Sequence, residues 1–364
     1  MRKLGISIYP EKTTKQEIME YIDQAAKFGF SRIFSCLLSV SKSPEEIKQE
    51  FKEINQYAKQ KGFEVIVDVS PRVFQELGIS YQNLQFFHDI EADGIRLDQG
   101  FTGMEESMMT FNSYGLKIEI NMSNDTHTID TIMDYQPNKY QLIGCHNFYP
   151  HRYSGLTLDH FQRCTKRFQA YGLRTAAFVS SQAANSFGPW PVTDGLPTLE
   201  LHRTLPLDVQ VKHMIALGID DIIISNCYPA ANELESIARL RKDMVTFQIE
   251  LLSDVPEIER KIVFEETHFH RGDVSAYFLR STQSRVKFRG HNFALFHAPE
   301  QIKRGDVIIE SSLYGHYAGE LQIALQDMVN SGKSNVIGHI AESEHFLLDM
   351  IKPWQKFSFI TKEG

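Results

Sequence analysis

Residues 1–243 repeat one unit eight times: a short apolar run followed by an amphipathic segment. The β-rich runs are LGISIY (4–9), RIFSCLL (32–38), FEVIVDVS (63–70), DGIRLD (93–98), GLKIEI (115–120), KYQLIGC (139–145), LRTAAFV (173–179) and DDIIISN (220–226). Helix signals lie between them. Thr14 and Glu17 make a capping box, in which hydroxyl and carboxylate satisfy N–H groups that the first turn leaves unpaired. Ile18, Ile22, Ala25 and Ala26 follow at helical spacing and Gly29 ends the run. Ser43, Pro44 and Glu46 start a second helix, whose stripe is Ile47, Phe51, Ile54 and Ala58, with Gly62 as its stop. Further helices are expected near 103–113, 126–135, 157–171, 206–217 and 229–243. Regular strand–helix alternation predicts a parallel sheet. Eight cycles of this length match the ~250 residues of a (β/α)8 TIM barrel better than a doubly wound sheet. Neither a GxGxxG nor a GxxxxGK[ST] phosphate loop is present.

From about residue 245 the pattern changes. VTFQIELL, ERKIVFEETHFH, VSAYFLRST, VKFRGHNFALF, GDVIIESSLYGHYAGELQIAL and SNVIGHIA read as β-like runs, with no clear crossover helix between them. The expectation is a barrel domain over 1–244 and a small, mostly antiparallel β domain over 245–364.

Charge and cysteine usage exclude several functions. A formal net charge of -8, with Lys and Arg dispersed, argues against nucleic acid as a partner. Cys36, Cys145, Cys164 and Cys227 are far apart and form no CxxC pair, which suits a reducing compartment. The N-terminal apolar stretch is shorter than the roughly 7–15 residues of a secretory core. No run approaches the ~18 apolar residues of a membrane span. A cytoplasmic protein without membrane contact is expected, with no cofactor or metal; oligomeric state leaves no trace in the sequence.

A barrel works at the C-terminal ends of its strands, so inward-facing polar residues there are the first candidates. Side chains alternate along a strand. With Val65, Val67 and Val69 on one face of β-run three, Asp68 and Ser70 take the other. By the same count Arg96 and Asp98 face inward, as do Lys117, Glu119 and Asn121. Asp68, Asp98 and Glu119 are thus expected together at the mouth, with Arg96 and Lys117 deeper. Two carboxyls at one mouth suit glycoside hydrolysis, which needs a proton donor with a raised pKa beside a second carboxylate. The structural alternative is an internal ion network with Arg96 and Lys117. Lys117 is also the one inward lysine that an aldolase could use for a Schiff base.

Two loops add binding candidates. HNFYPHRYSG (146–155) follows the sixth run. His146, Asn147 and Tyr149 offer hydrogen bonds and flat faces for a sugar, while Arg152, Ser154 and the Gly155 amide suit an oxyanion. Residues 180–206 form a connection too long for a plain turn, and Trp190, Glu200, His202 and Arg203 predict an ordered lid, with Arg203 a second anion candidate. Ser225 to Tyr228 precede a helix start whose N–H groups suit an anion. Tyr314, Tyr317 and Glu320 cluster around glycines in LYGHYAGELQI. The two Arg-Gly-Asp tripeptides, at 271–273 and 304–306, read as turn chemistry.

LGISIYPE, SRIFSCLL, GIRLDQGF, HNFYPHRYSGL, GLPTLELHR and YGHYAGELQI, in this order, resemble the bacterial 6-phospho-N-acetylmuramidase family, formerly labelled outer surface protein, over nearly the whole chain. One departure is that His151 stands between Pro150 and Arg152, where the family has Arg directly after Pro. The resemblance implies a TIM barrel followed by a cyclophilin-like β domain. It implies hydrolysis of the β-1,4 bond of N-acetylmuramic acid 6-phosphate–N-acetylglucosamine in cell-wall recycling. On that basis Glu119 is expected to protonate the leaving oxygen and Asp98 to act as nucleophile or to orient the acetamido group, with Asp68 as substitute for either. Asn121, His146, Asn147, Tyr149, Arg152, Ser154, Arg203 and Glu320 are the expected contacts to the phosphorylated disaccharide. A sugar-phosphate sensor without catalysis, or an isomerase or aldolase on the same barrel, are the alternatives.

Overall fold

The computed structural model describes residues 2–37, 43–191 and 194–362. It divides into two compact units, residues 1–238 and 239–364. In the first, eight parallel strands close a barrel in sequence order: β1 (Lys3–Ile8), β2 (Arg32–Leu37), β3 (Glu64–Val69), β4 (Gly94–Leu97), β5 (Lys117–Asn121), β6 (Leu142–Cys145), β7 (Arg174–Val179) and β8 (Asp221–Ile224). β8 pairs back onto β1, with Lys3 opposite Asp221. The last residue of the expected second run, Leu38, lies outside the described residues.

Local signals explain the outer helices. α1 (Lys15–Lys27) forms the expected capping box and α2 (Pro44–Gln60) starts at Ser43 with one as well; Ile18, Ile22 and Ala25 of the first stripe and all four residues of the second are buried, while Ala26 is half-buried. α7 (Leu158–Ala170), reached after the short helices α3 (Pro71–Glu76), α4 (Gln85–Asp89), α5 (Met104–Met109) and α6 (Thr128–Asp134), buries Phe161, Cys164 and Phe168. The helices expected over 103–113 and 229–243 are shorter, at Met104–Met109 and, for α9, Ala231–Ala238. α8 (Leu207–Ala216) is buried nearly all round, including Gln210, Lys212 and His213. Gln210 reaches across to the Ser180 carbonyl at 2.9 Å and to Ser180 N–H at 2.8 Å, tying α8 to the end of β7.

The second unit holds a seven-stranded, mostly antiparallel sheet. Its order is β10 (His268–Phe269), β17 (Lys356–Ile360), β9 (Val245–Leu251), β16 (Ser334–Ile340), β13 (Asp306–Glu310), β14 (Leu321–Ala324) and β11 (Phe278–Ser281). β12 (Gln301–Ile302) and β15 (Met328–Val329) form a separate pair. The first and last long strands, β9 and β17, run parallel side by side. Two expectations are corrected here: VKFRGHNFALF is not a strand, because a short helix over Gln283–Lys287 runs into it and 288–296 join no ladder, and ERKIVFEETHFH is not one β run, because α10 (Glu257–Glu265) occupies its first part. Ile258 and Ile262 stand four apart and Pro256 precedes the first turn, so helical period prevails until His268 enters the sheet.

Candidate active site

The C-terminal ends of β2, β3, β4 and β6 surround a cavity of about 250 Å³, lined by Cys36, Leu37, Asp68, Ser70, Arg96, Asp98, Asn147, Phe148, Pro189 and Trp190. Asp68 stands opposite Arg96 in the β3–β4 ladder. Arg96 Nη1 donates to Asp68 Oδ1 at 2.7 Å and lies 3.7 Å from Asp98 Oδ1. Its Nη2 donates to the Asn147 side-chain oxygen. One buried guanidinium thus holds two carboxylates and an amide at one mouth. The two acids differ in setting. Asp98 lies just past the strand end and is 48% exposed. Burial lifts Asp68 above the usual carboxylate range, against the pull of Arg96, with the charge of Asp98 adding to the rise. The Cys36 thiol approaches Asp68 Oδ2 at 3.5 Å from the cavity wall. Phe148 closes the floor, edge-on to Phe34 and Phe178.

Glu119 is not at this mouth. It is wholly buried and accepts a hydrogen bond from Arg32 Nη2, while Arg32 Nη1 donates to Asp221. The network runs on toward the other end of the barrel: Arg174 bonds Asp221 at 2.5 Å and Glu64 at 2.6 Å, and Glu64 also meets Lys3 at 2.8 Å and Lys117 at 2.7 Å. The physical reason is strand tilt. Strands of a closed barrel lean ~36° from its axis, so residues level in the hydrogen-bond ladder lie at different heights along the axis. Asp68, Arg96 and Glu119 are partners in one row across β3, β4 and β5, and Glu119 lies two residues before the end of β5. Lys117 is correspondingly remote from the mouth, which removes it as a Schiff-base lysine. Asn121, the last residue of β5, turns its side-chain oxygen onto Ser123 N–H at 2.9 Å.

The loop after β6 divides into an inner and an outer part. His146 is fully buried, bonded through Nε2 to Thr165 at 2.9 Å and stacked on Phe161. Burial pushes its pKa down to about 3, so it is a neutral core imidazole rather than a ligand contact. Asn147 lines the cavity, and Tyr149, two residues on, is half-buried. Ser154 donates to the His151 carbonyl at 2.5 Å and closes a turn. The Gly155 amide, expected to grip an oxyanion, does grip one together with the Tyr153 amide, but it belongs to the protein. Tyr153 N–H and Gly155 N–H donate to the Glu200 carboxylate at 2.9 and 2.8 Å. A Cβ at Gly155 would lie 2.7 Å from Glu200 Oε2, so only glycine admits this approach.

The lid over 180–206 is pinned at several points, with Val192 and Thr193 outside the described residues. Tyr149 N–H donates to the Pro197 carbonyl, Thr198 Oγ1 to the Asn147 carbonyl, and Cys227 N–H to the Phe187 carbonyl. Ser225 N–H bonds the Val179 carbonyl, so the Ser225 and Cys227 amides of the stretch after β8 are engaged. Arg203 is buried, and each guanidinium nitrogen is engaged: Nε by Glu200 at 2.6 Å, Nη1 by the carbonyls of Asp194 and Gly195, Nη2 by those of Tyr149 and His151. It organises both loops and holds Glu200 down at about 2, helped by the Tyr153 and Gly155 amides. His202 is buried against His213 at 2.8 Å. Arg152 lies at the surface of this loop. It is 56% exposed and meets Asp194 at 2.8 Å beside a wider cleft of about 620 Å³.

Both units match one family. Residues 4–239 match the model described as 6-phospho-N-acetylmuramidase, N-terminal, and residues 245–360 the model described as 6-phospho-N-acetylmuramidase, C-terminal. The chain belongs to the 6-phospho-N-acetylmuramidase family. A solved structure described as an uncharacterized B. cereus protein is similar at 47% identity, covers 99% of both chains and superposes with a TM-score of 0.90. A conserved Enterococcus faecalis protein of unknown function shares the fold at 23% identity, over 99% of this chain and 96% of that one, with a TM-score of 0.70. No curated protein matches the chain.

Membership makes the chain a glycosidase acting on a phosphorylated amino sugar. Among the described residues no group of three His, Cys, Asp or Glu side chains is arranged to hold a metal ion. Nor is any helix among them long and apolar enough to cross a membrane. In this family member Glu320 is buried within the second unit, bonded to Arg280 at 2.7 Å and Arg285 at 2.8 Å. Sequence reading passed over Arg32, Asp221 and Asp194. Arg32 opens β2, where an arginine passes for a surface residue. Asp194 carried no signal beyond its place in a long loop.

Proposed function

We propose that the chain hydrolyses the β-1,4 bond of N-acetylmuramic acid 6-phosphate–N-acetylglucosamine in the cytoplasm, as a step of cell-wall recycling. The observation that carries this reading is the pair Asp68 and Asp98, both on Arg96 Nη1, at the mouth of a barrel cavity. Asp68 is the proton donor, because burial keeps a proton on it to higher pH than on an ordinary aspartate. Asp98, exposed at the strand end, is the nucleophile. Two carboxylates within reach of one nitrogen suit the ~5–5.5 Å separation of a retaining enzyme rather than the wider gap that admits a water.

The reaction then runs in two displacements. Asp98 Oδ attacks the anomeric carbon as Asp68 delivers its proton to the glycosidic oxygen; the C–O bond breaks and N-acetylglucosamine leaves. Water, giving its proton to the Asp68 carboxylate, attacks the same carbon and frees Asp98 and the phosphorylated sugar. Arg96 positions both acids. Asn147, whose oxygen is held by Arg96, keeps its amide N–H groups for sugar hydroxyls. Tyr149 supplies a flat face. Arg152 exchanges Asp194 for the 6-phosphate, since a dianion outcompetes one carboxylate for an exposed guanidinium.

The test is to incubate the protein with the phosphorylated disaccharide and, separately, with the same disaccharide lacking phosphate. Release of N-acetylglucosamine from the first alone is expected. Release from neither would sink the hydrolase reading of this substrate.

A further inference from the structure

The second unit contains a cavity of about 320 Å³ whose lining residues have no part in the reaction proposed above. That volume lies within the ~300–1,000 Å³ of small-ligand sites. Three segments converge on it. Arg285 comes from α11 (Gln283–Lys287), Arg289 and His291 from the turn that follows, and His316 from the kinked 3-10 segment Ser312–Tyr317. No Asp or Glu lines it, in a chain whose net charge is -8. Nearby acids are engaged elsewhere or shared: Glu320 lies between Arg280 and Arg285, Glu266 meets Lys287, and buried Glu259 feels the charge of His291. Arg289 is exposed and has no ion-pair partner among the described residues.

The shape adds to the charge. Gly290 and Gly315 both have positive φ, and a Cβ on either would meet no atom within 4 Å, so the two turns leave the cavity open between them. Phe288 and Phe293 form an apolar wall, with the His291 ring edge-on to Phe293 at 4.7 Å. A basic rim over an aromatic wall fits a ligand with an anionic head on a compact, partly apolar body.

We propose that this cavity binds a sugar phosphate, with the phosphate held by Arg289, His291 and His316 and the sugar ring against Phe288 and Phe293. Arg285, already shared with Glu320, supplies field rather than a free hydrogen bond. The residues lining the site all belong to the second unit, and its test stands independently of the reaction proposed for the barrel.

The test uses the full chain with its histidine rings isotopically labelled and the His291 and His316 signals assigned through H291Q and H316Q. Glucose 6-phosphate and inorganic phosphate are titrated in turn. Both ring signals should shift together and saturate, and glucose 6-phosphate should bind about threefold or more tighter than phosphate. R289E should weaken binding at least about tenfold without altering the melting temperature, since its side chain is exposed. No saturable shift, or equal shifts in R289E, would overturn the site. Equal affinity for phosphate and glucose 6-phosphate would overturn the part given to the aromatic wall.

Discussion

Arg32 reaches from β2 to Glu119 on β5 inside the barrel, and neither side chain touches solvent. This pairing takes a carboxylate with every sequence credential of a catalytic acid and makes it part of a buried ion chain. Burying two charges is tolerable only when each is paired and hydrogen-bonded. Here Arg32 is answered by both Glu119 and Asp221.

Breaking that chain should therefore cost stability rather than chemistry. Arg32→Met leaves Glu119 and Asp221 without their shared partner and is expected to destabilise the barrel by about 3–5 kcal/mol. Glu119→Gln keeps the shape and should lower the melting temperature while leaving turnover within about tenfold wherever the protein is folded. Thermal unfolding followed alongside activity decides it. An unchanged melting curve with activity lost by orders of magnitude would return Glu119 to the mechanism.

Asp68 and Asp98 should behave in the opposite way. Asp68→Asn and Asp98→Asn are each expected to lose about 10²–10⁴-fold in turnover with the fold intact. A substrate with an acidic phenol leaving group separates their roles. It needs no proton donor, so it should restore much of the rate to Asp68→Asn and none to Asp98→Asn. Rescue of the second variant instead would exchange the assignments.

The pH profile follows from the same pair. A proton donor works only while protonated, so rate must fall as pH rises through the pKa of Asp68. Burial lifts that pKa above the ordinary 3.8, which moves the alkaline limb upward by the same amount. Residual activity of Asp68→Asn should lose this limb. A limb of unchanged position in the variant would assign it to another group.

Arg152 should govern substrate choice. Arg152→Ala is expected to raise KM for the phosphorylated disaccharide about tenfold or more and to leave the melting temperature unchanged, because the Arg152–Asp194 pair is exposed. Glu200→Gln acts differently: it weakens the hold of Arg203 and of the Tyr153 and Gly155 amides, so both loops loosen and the protein becomes more sensitive to proteolysis near 150–203. Unaltered KM in Arg152→Ala would remove that residue from the phosphate site.

Glu310 gives the second unit a pH-dependent stability. Burial, with Glu320 nearby, raises its pKa from 4.5 to about 7, and Ser334 is its hydrogen-bond donor at 2.7 Å. Below 4.5 the carboxyl is protonated folded or unfolded. Between 4.5 and about 7 the unfolded chain ionises while the folded one keeps its proton, so stability falls as pH rises through this window and levels off above it. Glu310→Gln should remove this slope and unfold later than the natural protein at pH above 7. Denaturant melts of both proteins across the window provide the check.

Much of this architecture was legible in the sequence. Apolar alternation marks a strand within a few residues, and Thr14 with Glu17, or Ser43 with Glu46, marks a helix start within one turn; both are local consequences of backbone geometry. The inward face of Asp68 and Arg96 followed from the same alternation. What remained hidden was depth and availability. Depth depends on strand tilt and ladder register, which placed Glu119 beneath the mouth and gave it to an arginine 87 residues away. Availability depends on which donors are already taken, and the Gly155 amide is taken by Glu200, 45 residues along the chain. In the barrel unit the sequence by itself determined where strands and helices form, because those choices rest on neighbours a few positions away. Only the tertiary structure decided which acids and arginines remain free for a substrate, because hydrogen bonds and ion pairs are settled by groups that the fold, not the chain order, brings together.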